Sequence, residues 1–233
     1  MIKQNKYVAP LSEFIGTAIL ATVVLAVSGR SAMPYETALF SGITLALLVL
    51  IFGPFSGAHI NPVVTIGMWT VKKIQTSTAI VYIGAQMLGG FAALQMNEML
   101  IDTTLRNRAG KEFDWRVLVA EAIGAAIFTF AVAAAVGRSS DQNKTAIMAG
   151  GGLVLGIIAA SLVSNGILNP AVAVGVRSWS LAYAVGPVLG AIIGMNIYSL
   201  IFSPVELGRS VWQSVSKKSK TKATPKKTAK RKK

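Results

Sequence analysis

Long stretches of this chain carry no charge. Lys, Arg, Asp and Glu are absent from residues 14–29, 37–71, 74–97, 122–137, 145–176 and 178–205. A helix that crosses a bilayer needs about 20 mainly apolar residues. Each run therefore predicts one span, the first and fourth extended across Glu13 and Glu121 to about 11–28 and 117–137. The second and fifth runs, of 35 and 32 residues, are too long for one helix and too short for two. Each predicts a span followed by a half-length segment. The pattern implies an all-α membrane protein with six transmembrane helices and two re-entrant half-helices.

The run lengths repeat in order: 16, 35 and 24, then 16, 32 and 28. A shift of 108 residues places Glu13 on Glu121, Gly16 on Gly124, Gly42 on Gly150, Asn61 on Asn169, Pro62 on Pro170 and Gly67 on Gly175. This is the mark of an internal duplication, with repeat one at 11–99 and repeat two at 117–203. Three spans per repeat make the second copy enter the membrane from the opposite side. Such inverted repeats place their site near the midplane, at the repeat interface. Lys3, Lys6, Lys72, Lys73, Arg138 and Lys144 predict that both termini are cytoplasmic in a multi-pass cell-membrane protein. The four basic residues within 102–116, expected outside, fit this least well, although Asp102, Glu112 and Asp114 balance them.

Composition sharpens the picture. Charged residues make up 14% of the chain and hydrophobic ones 53%, against about 25% charged in soluble domains. Ten of the 23 basic residues lie between Lys217 and Lys233, so most of the net charge of +14 belongs to the tail. With no cysteine and the single histidine His59, thiolate metal sites, disulfides and most His-based constellations are excluded. No metal, cofactor or nucleophile–base pair is implied. The first apolar segment has no small-residue cleavage signal and reads as a retained helix.

The chemistry concentrates in two segments, Ser56-Gly57-Ala58-His59-Ile60-Asn61-Pro62-Val63 and Asn165-Gly166-Ile167-Leu168-Asn169-Pro170-Ala171-Val172. Asn followed by Pro is a strong helix start, since Asn caps the first turn and Pro needs no donor partner. Non-helical backbone at membrane depth must be buried in protein or line a water-filled cavity. Each segment thus predicts a chain descending to mid-membrane and a helix of roughly ten residues leading out, with both helix starts converging. Converging positive dipole ends and the Asn61 and Asn169 amides would repel cations and orient a neutral hydrogen-bonding solute. Glu13 and Glu121, acids inside predicted spans, need partners, and freed loop amides need acceptors. Proton relay is the functional alternative for this pair.

These motifs resemble those of the aquaporins, the major intrinsic proteins. The segment 56–65 is similar to the family's first signature loop, with Val63 in place of the usual Ala, and 168–171 to the second. Tyr82-Ile83-Gly84-Ala85-Gln86 and Gly186-Pro187-Val188-Leu189-Gly190-Ala191 match as well. The resemblance covers about 10–203. It implies that Asn61 and Asn169 donate to the permeant, and that the carbonyls of Gly57, Ala58, His59, Asn165, Gly166 and Ile167 form an acceptor ladder. It further implies that Glu13 and Glu121 brace the re-entrant loops, that His59 anchors its loop or lines the pore, and that the assembly is a homotetramer with one pore per subunit.

The selectivity filter departs from the family pattern. By this resemblance its four positions are Ser41, Ile157, Gly166 and Val172, where the family normally has an Arg at the last. The predicted constriction is small and apolar, without a fixed positive charge. Loss of the Arg and of an aromatic widens a pore, whereas loss of polar groups raises the barrier to water, and Phe40, Phe52 or Phe55 would narrow it again if they fill the gap. Arg177 is a candidate to set its guanidinium near the mouth. Subfamily positions are mixed: Ala173 lacks the Asp of glycerol channels, Arg177 matches them, Tyr183 resembles water channels and Ala184 neither.

The glycines at 186, 190 and 194 let helices approach closely and read as internal packing. Residues 1–10 read as a cytoplasmic N-terminus. Residues 204–233 read as a basic, disordered tail drawn to anionic membrane lipid, without the aromatic interleaving or folded motif of nucleic-acid binding. The reading is a passive channel for water and other small neutral solutes that excludes ions and protons. Alternatives are a glycerol or polyol facilitator with a widened filter, an ion-coupled secondary transporter, and a non-conducting scaffold.

Overall fold

A computed structural model describes residues 6–29, 34–110, 112–138 and 141–202, with Pro34 and Arg138 described in backbone only. Residues 1–5 of the expected cytoplasmic N-terminus and the expected basic tail lie outside the described residues. Eight helices are present among them: α1 (Val8–Ser28), α2 (Pro34–Ser56), α3 (Pro62–Thr70), α4 (Thr76–Ile101), α5 (Trp115–Arg138), α6 (Gln142–Ala160), α7 (Pro170–Gly175) and α8 (Leu181–Phe202). Six are long and apolar enough to cross a membrane; α3 and α7 are the two short ones.

The duplication is visible in the packing. α1 packs on α4 as α5 packs on α8, and α2 crosses α6. Each short helix leans on the last span of the other repeat, α3 on α8 and α7 on α4. Gly42 and Gly150, related by the 108-residue shift, meet each other where α2 crosses α6. A Cβ on either would lie 2.6 or 2.5 Å from the other's carbonyl oxygen.

The glycine stripe of α8 packs inside the bundle. Cβ atoms at Gly186, Gly190 and Gly194 would lie 2.5, 2.0 and 2.2 Å from the carbonyl oxygens of Leu118, Ala122 and Ala126 on α5. Because the obstacle is backbone, it cannot rotate away. Gly190→Val is expected to lower stability by about 3 kcal/mol, the upper part of the usual overpacking range; thermal unfolding in detergent checks this.

The helices also depart from the charge-free runs for identifiable reasons. α4 runs on past its run to Ile101, because Glu98 is paired with Arg177 at 2.7 Å and accepts from the Leu105 N–H at 2.8 Å. α7 has six residues against nine in α3. Both end in the same way. Lys72 and Arg177 are left-handed, with φ of 59° and 57°. The following N–H of Lys73 or Ser178 bonds back to Met68 or Ala173, a Schellman-type stop. In the second repeat this stop comes three residues earlier, so α7 is nearly one turn shorter.

Pro54 inside α2 has no N–H to offer the Leu50 carbonyl. Gln142, at the start of α6, supplies the missing donor: its Nε2 lies 2.8 Å from the Leu50 oxygen and 3.0 Å from that of Val49. Gly53 leaves the room, since a Cβ there would come within 3.0 Å of that nitrogen.

Candidate functional site

Asn61 and Asn169 cap α3 and α7 and cross-link the two repeats. The Asn61 Oδ1 accepts from the Val63 N–H at 2.9 Å, and the Asn169 Oδ1 from Ala171 and Val172 at 3.1 and 3.2 Å. Each side-chain nitrogen then donates across the pseudo-twofold: Asn61 to the Leu168 carbonyl at 2.9 Å, Asn169 to the Ile60 carbonyl at 3.0 Å. These bonds fix both amides. An amide nitrogen has two donors, so one N–H on each Asn is left by this network.

The loops leading to the two Asn residues adopt matching backbone shapes. Ala58 and Gly166 have φ of 50° and 61°, and Ile60 and Leu168 have φ of 53° and 52°. Both pairs are related by the 108-residue shift. Left-handed backbone at a non-glycine costs about 1–3 kcal/mol and persists only where surroundings hold it.

Buried carboxylates provide much of that hold. The Glu13 Oε1 accepts from the Ser56 hydroxyl at 2.6 Å and the His59 N–H at 2.9 Å, and its Oε2 from the Ile60 N–H at 2.6 Å and Gln86 at 2.7 Å. Glu121 accepts from the Ser164 hydroxyl at 2.8 Å and from the Ile167 and Leu168 N–H groups at 3.0 and 2.7 Å. Two tyrosines complete the frame: Tyr82 donates to the Ser56 carbonyl at 3.0 Å, and the Tyr183 oxygen accepts from the Asn165 N–H at 2.9 Å. The His59 Nδ1 lies 3.0 Å from the Thr65 hydroxyl, and its ring meets Tyr82 edge-on.

Two cavities flank this core. One, of about 220 Å³, lies toward the end of the bundle where α1 finishes and α2 starts. Its lining includes Ser41, Ile157, Gly166 and Val172, with Asn61, Asn169, Asn165 and Ile167. The other, of about 410 Å³, lies toward the opposite end and is lined by Gly57, Ala58, His59, Gly53, Met68 and Gln142 among others. Leu45 and Phe128 line both, so the two cavities adjoin at the depth of the Asn pair. Pro62, Val63, Pro170 and Ala171 are buried beside them as the first turns of α3 and α7.

Phe40, Phe52 and Phe55 line neither cavity. Phe40 and Phe55 are exposed, and Phe52 is half-buried near Gly16. Among the described residues, Phe128 is the one aromatic lining the 220 Å³ cavity. Arg177 is absent from that lining; its guanidinium is bound to Glu98 and to the Leu105 carbonyl at 3.2 Å. The left-handed stop of α7 accompanies this arrangement. Arg108, from the α4–α5 connection, lines the cavity instead. Sequence reasoning missed it, and the surplus of basic residues in 102–116 was the signal available.

A family model described as "Major intrinsic protein" matches residues 2–113. Relatives carry the match through the second repeat. Aquaporin AqpM of Methanothermobacter marburgensis is 27% identical over 83% of this chain and 96% of its own length. Aquaporin Z of Photorhabdus laumondii is 28% identical over 81% of this chain and 97% of its own. The first repeat thus matches the major intrinsic protein family, and the chain as a whole is similar to its aquaporins. Aquaporin-4 of Rattus norvegicus, 28% identical, is covered over 72% of its length by 90% of this chain. The solved aquaglyceroporin of Plasmodium falciparum has the same fold, with a TM-score of 0.65 at 20% identity over 86% of this chain and 98% of that one. This similarity, with six apolar helices, supports a multi-pass membrane channel that passes water or small neutral solutes passively.

Proposed function

We propose that this channel conducts water together with neutral solutes up to about the size of glycerol, and that Ser41, Ile157, Gly166 and Val172 form its filter. The observation that carries this reading is the lining of the 220 Å³ cavity: all four residues border it, and none is aromatic or charged. Position 166 is closed to a larger residue, because a Cβ there would lie 2.8 Å from the Ser161 hydroxyl and 2.9 Å from the Ile157 carbonyl. Water and polyols then find acceptors in the loop carbonyls on either side of the Asn pair.

The remaining donor on each Asn, and the N-termini of α3 and α7, favour the oxygen of a neutral solute and disfavour a cation at the junction. Glu13 and Glu121 act as braces of the loops rather than as proton relays, because their oxygens are already engaged by loop donors. With the braces accounted for, coupling to an ion gradient has no unexplained intramembrane acid to run on.

The first test is Val172→Arg. The substitution adds bulk and charge to the 220 Å³ cavity, and glycerol permeability is expected to fall on the order of tenfold, since a 1.4 kcal/mol barrier suffices for that. Unchanged glycerol permeability in proteoliposomes sinks the placement of the filter at Val172.

Both termini are proposed to face the cytoplasm, supported by Lys72, Lys73 and Lys144 at that end of the bundle, and the subunits to form a homotetramer with one pore each. Sided labelling of cysteines introduced into this cysteine-free chain tests the first, and native mass spectrometry the second.

A further inference from the structure

The filter position next to the second Asn-Pro-Ala holds Val172, yet the same cavity has a guanidinium on its wall. We propose that Arg108 is a specificity-determining residue of this channel, supplying from the α4–α5 connection a fixed positive charge that turns cations away from the cavity mouth. The inference rests on the reading of that cavity as the permeation path.

Arg108 is held from three sides. Its backbone N–H donates to the Arg177 carbonyl at 2.9 Å, and its own carbonyl accepts from the Asn165 side chain at 3.0 Å. Asn165 is in turn bound to the Ser178 hydroxyl at 3.0 Å, so the connection is tied to the second re-entrant loop and to the end of α7. The side chain donates through one terminal nitrogen to the Ser28 hydroxyl at 2.6 Å, at the last residue of α1. Arg177, Glu98 and Leu105 form a further knot just upstream of it. A guanidinium on a connecting segment would ordinarily sweep through solvent. Here the backbone is fixed on both sides and the head is pinned over the cavity.

Its charge is also left uncancelled. The ion pairs among the described residues join Arg116 to Asp114, Lys144 to Asp141 and Arg177 to Glu98, and none involves Arg108. Only one guanidinium N–H is used by Ser28, so others remain to meet a solute carbonyl or hydroxyl. A single charge at the mouth of a cavity with low-dielectric walls focuses its field inward and acts on every ion that enters. Neutral solutes with acceptor oxygens meet a donor there; cations meet repulsion.

The test is a charge series at this one position: Arg108→Lys, Arg108→Gln and Arg108→Glu in proteoliposomes. Methylammonium uptake and water flux are recorded on each preparation, and folding is monitored by size exclusion. Methylammonium permeability is expected to rise on the order of tenfold in Arg108→Gln, as expected for one charge a few ångström away in a medium of intermediate dielectric. It should rise further in Arg108→Glu and stay near wild type in Arg108→Lys, so that the ratio of methylammonium to water permeability follows the charge at 108. High salt should raise methylammonium uptake in wild type and leave Arg108→Gln unaffected, because mobile ions screen an exposed charge. Ser28→Ala, which only unpins the head, should give a smaller rise. A purely structural role would move water and cation flux together, without following charge. Methylammonium uptake that ignores the charge at 108 overturns the assignment; wild-type water flux at the level of empty liposomes would overturn the channel reading instead.

Discussion

Glu13→Ala is expected to lower the unfolding stability of this channel by about 3–6 kcal/mol, the loss of two or more hydrogen bonds to a charged acceptor. The carboxylate accepts from four donors, and two of them, the His59 and Ile60 N–H groups, are backbone groups without another acceptor in the loop. Gln86 keeps its bond to Thr65 and loses least. The Ala58 and Ile60 backbone, left-handed in the native loop, then has little to hold it. Glu121→Ala should cost somewhat less, since three donors converge there. Glu13→Gln should fall between, because one amide oxygen still accepts while the amide nitrogen faces donors. Thermal unfolding in detergent reads the order; equal stability in all four proteins would contradict the bracing role.

Asn61→Asp is the second substitution with a large expected effect. The Asn61 nitrogen lies 2.9 Å from the Leu168 carbonyl, so the replacement sets a carboxylate oxygen against a carbonyl oxygen. It also adds a negative charge at the depth where the two cavities adjoin and where two helix N-termini favour an anion. Cation leak is expected to rise on the order of tenfold or more. The Asn61→Asp/Asn169→Asp double variant should leak more, because the Asn169 nitrogen makes the reciprocal bond to Ile60. Potassium flux from dye-loaded liposomes measures it, and no increase in either variant would remove the argument that the amides and helix ends exclude cations.

Much of the architecture was legible because the membrane imposes simple rules on sequence. Charge-free runs marked six spans, and one constant shift revealed the duplication that the Gly42–Gly150 contact and the paired loop conformations display in three dimensions. The paired Asn-Pro segments were readable because capping chemistry is local. Other features were hidden because they depend on what meets what. α4 overran its charge-free stretch because Glu98 found Arg177. α7 came out a turn shorter than α3 because its left-handed stop falls three residues early, with no change of composition to announce it. Gln142 gave no sign that it supplies a donor to the Leu50 carbonyl freed by Pro54. Arg108 is the clearest case: it lies in no motif, and only the fold brings the α4–α5 connection over the cavity lined by Val172. The anomaly of a basic segment on the face expected to be outside was visible in the sequence, but its partner was not.

The most direct test is stopped-flow light scattering on proteoliposomes of the purified chain, with water efflux and glycerol uptake recorded on one preparation. Both are expected to run well above empty liposomes, without saturation and without dependence on a sodium or proton gradient. Fast water with glycerol at background would contradict the proposed filter of Ser41, Ile157, Gly166 and Val172.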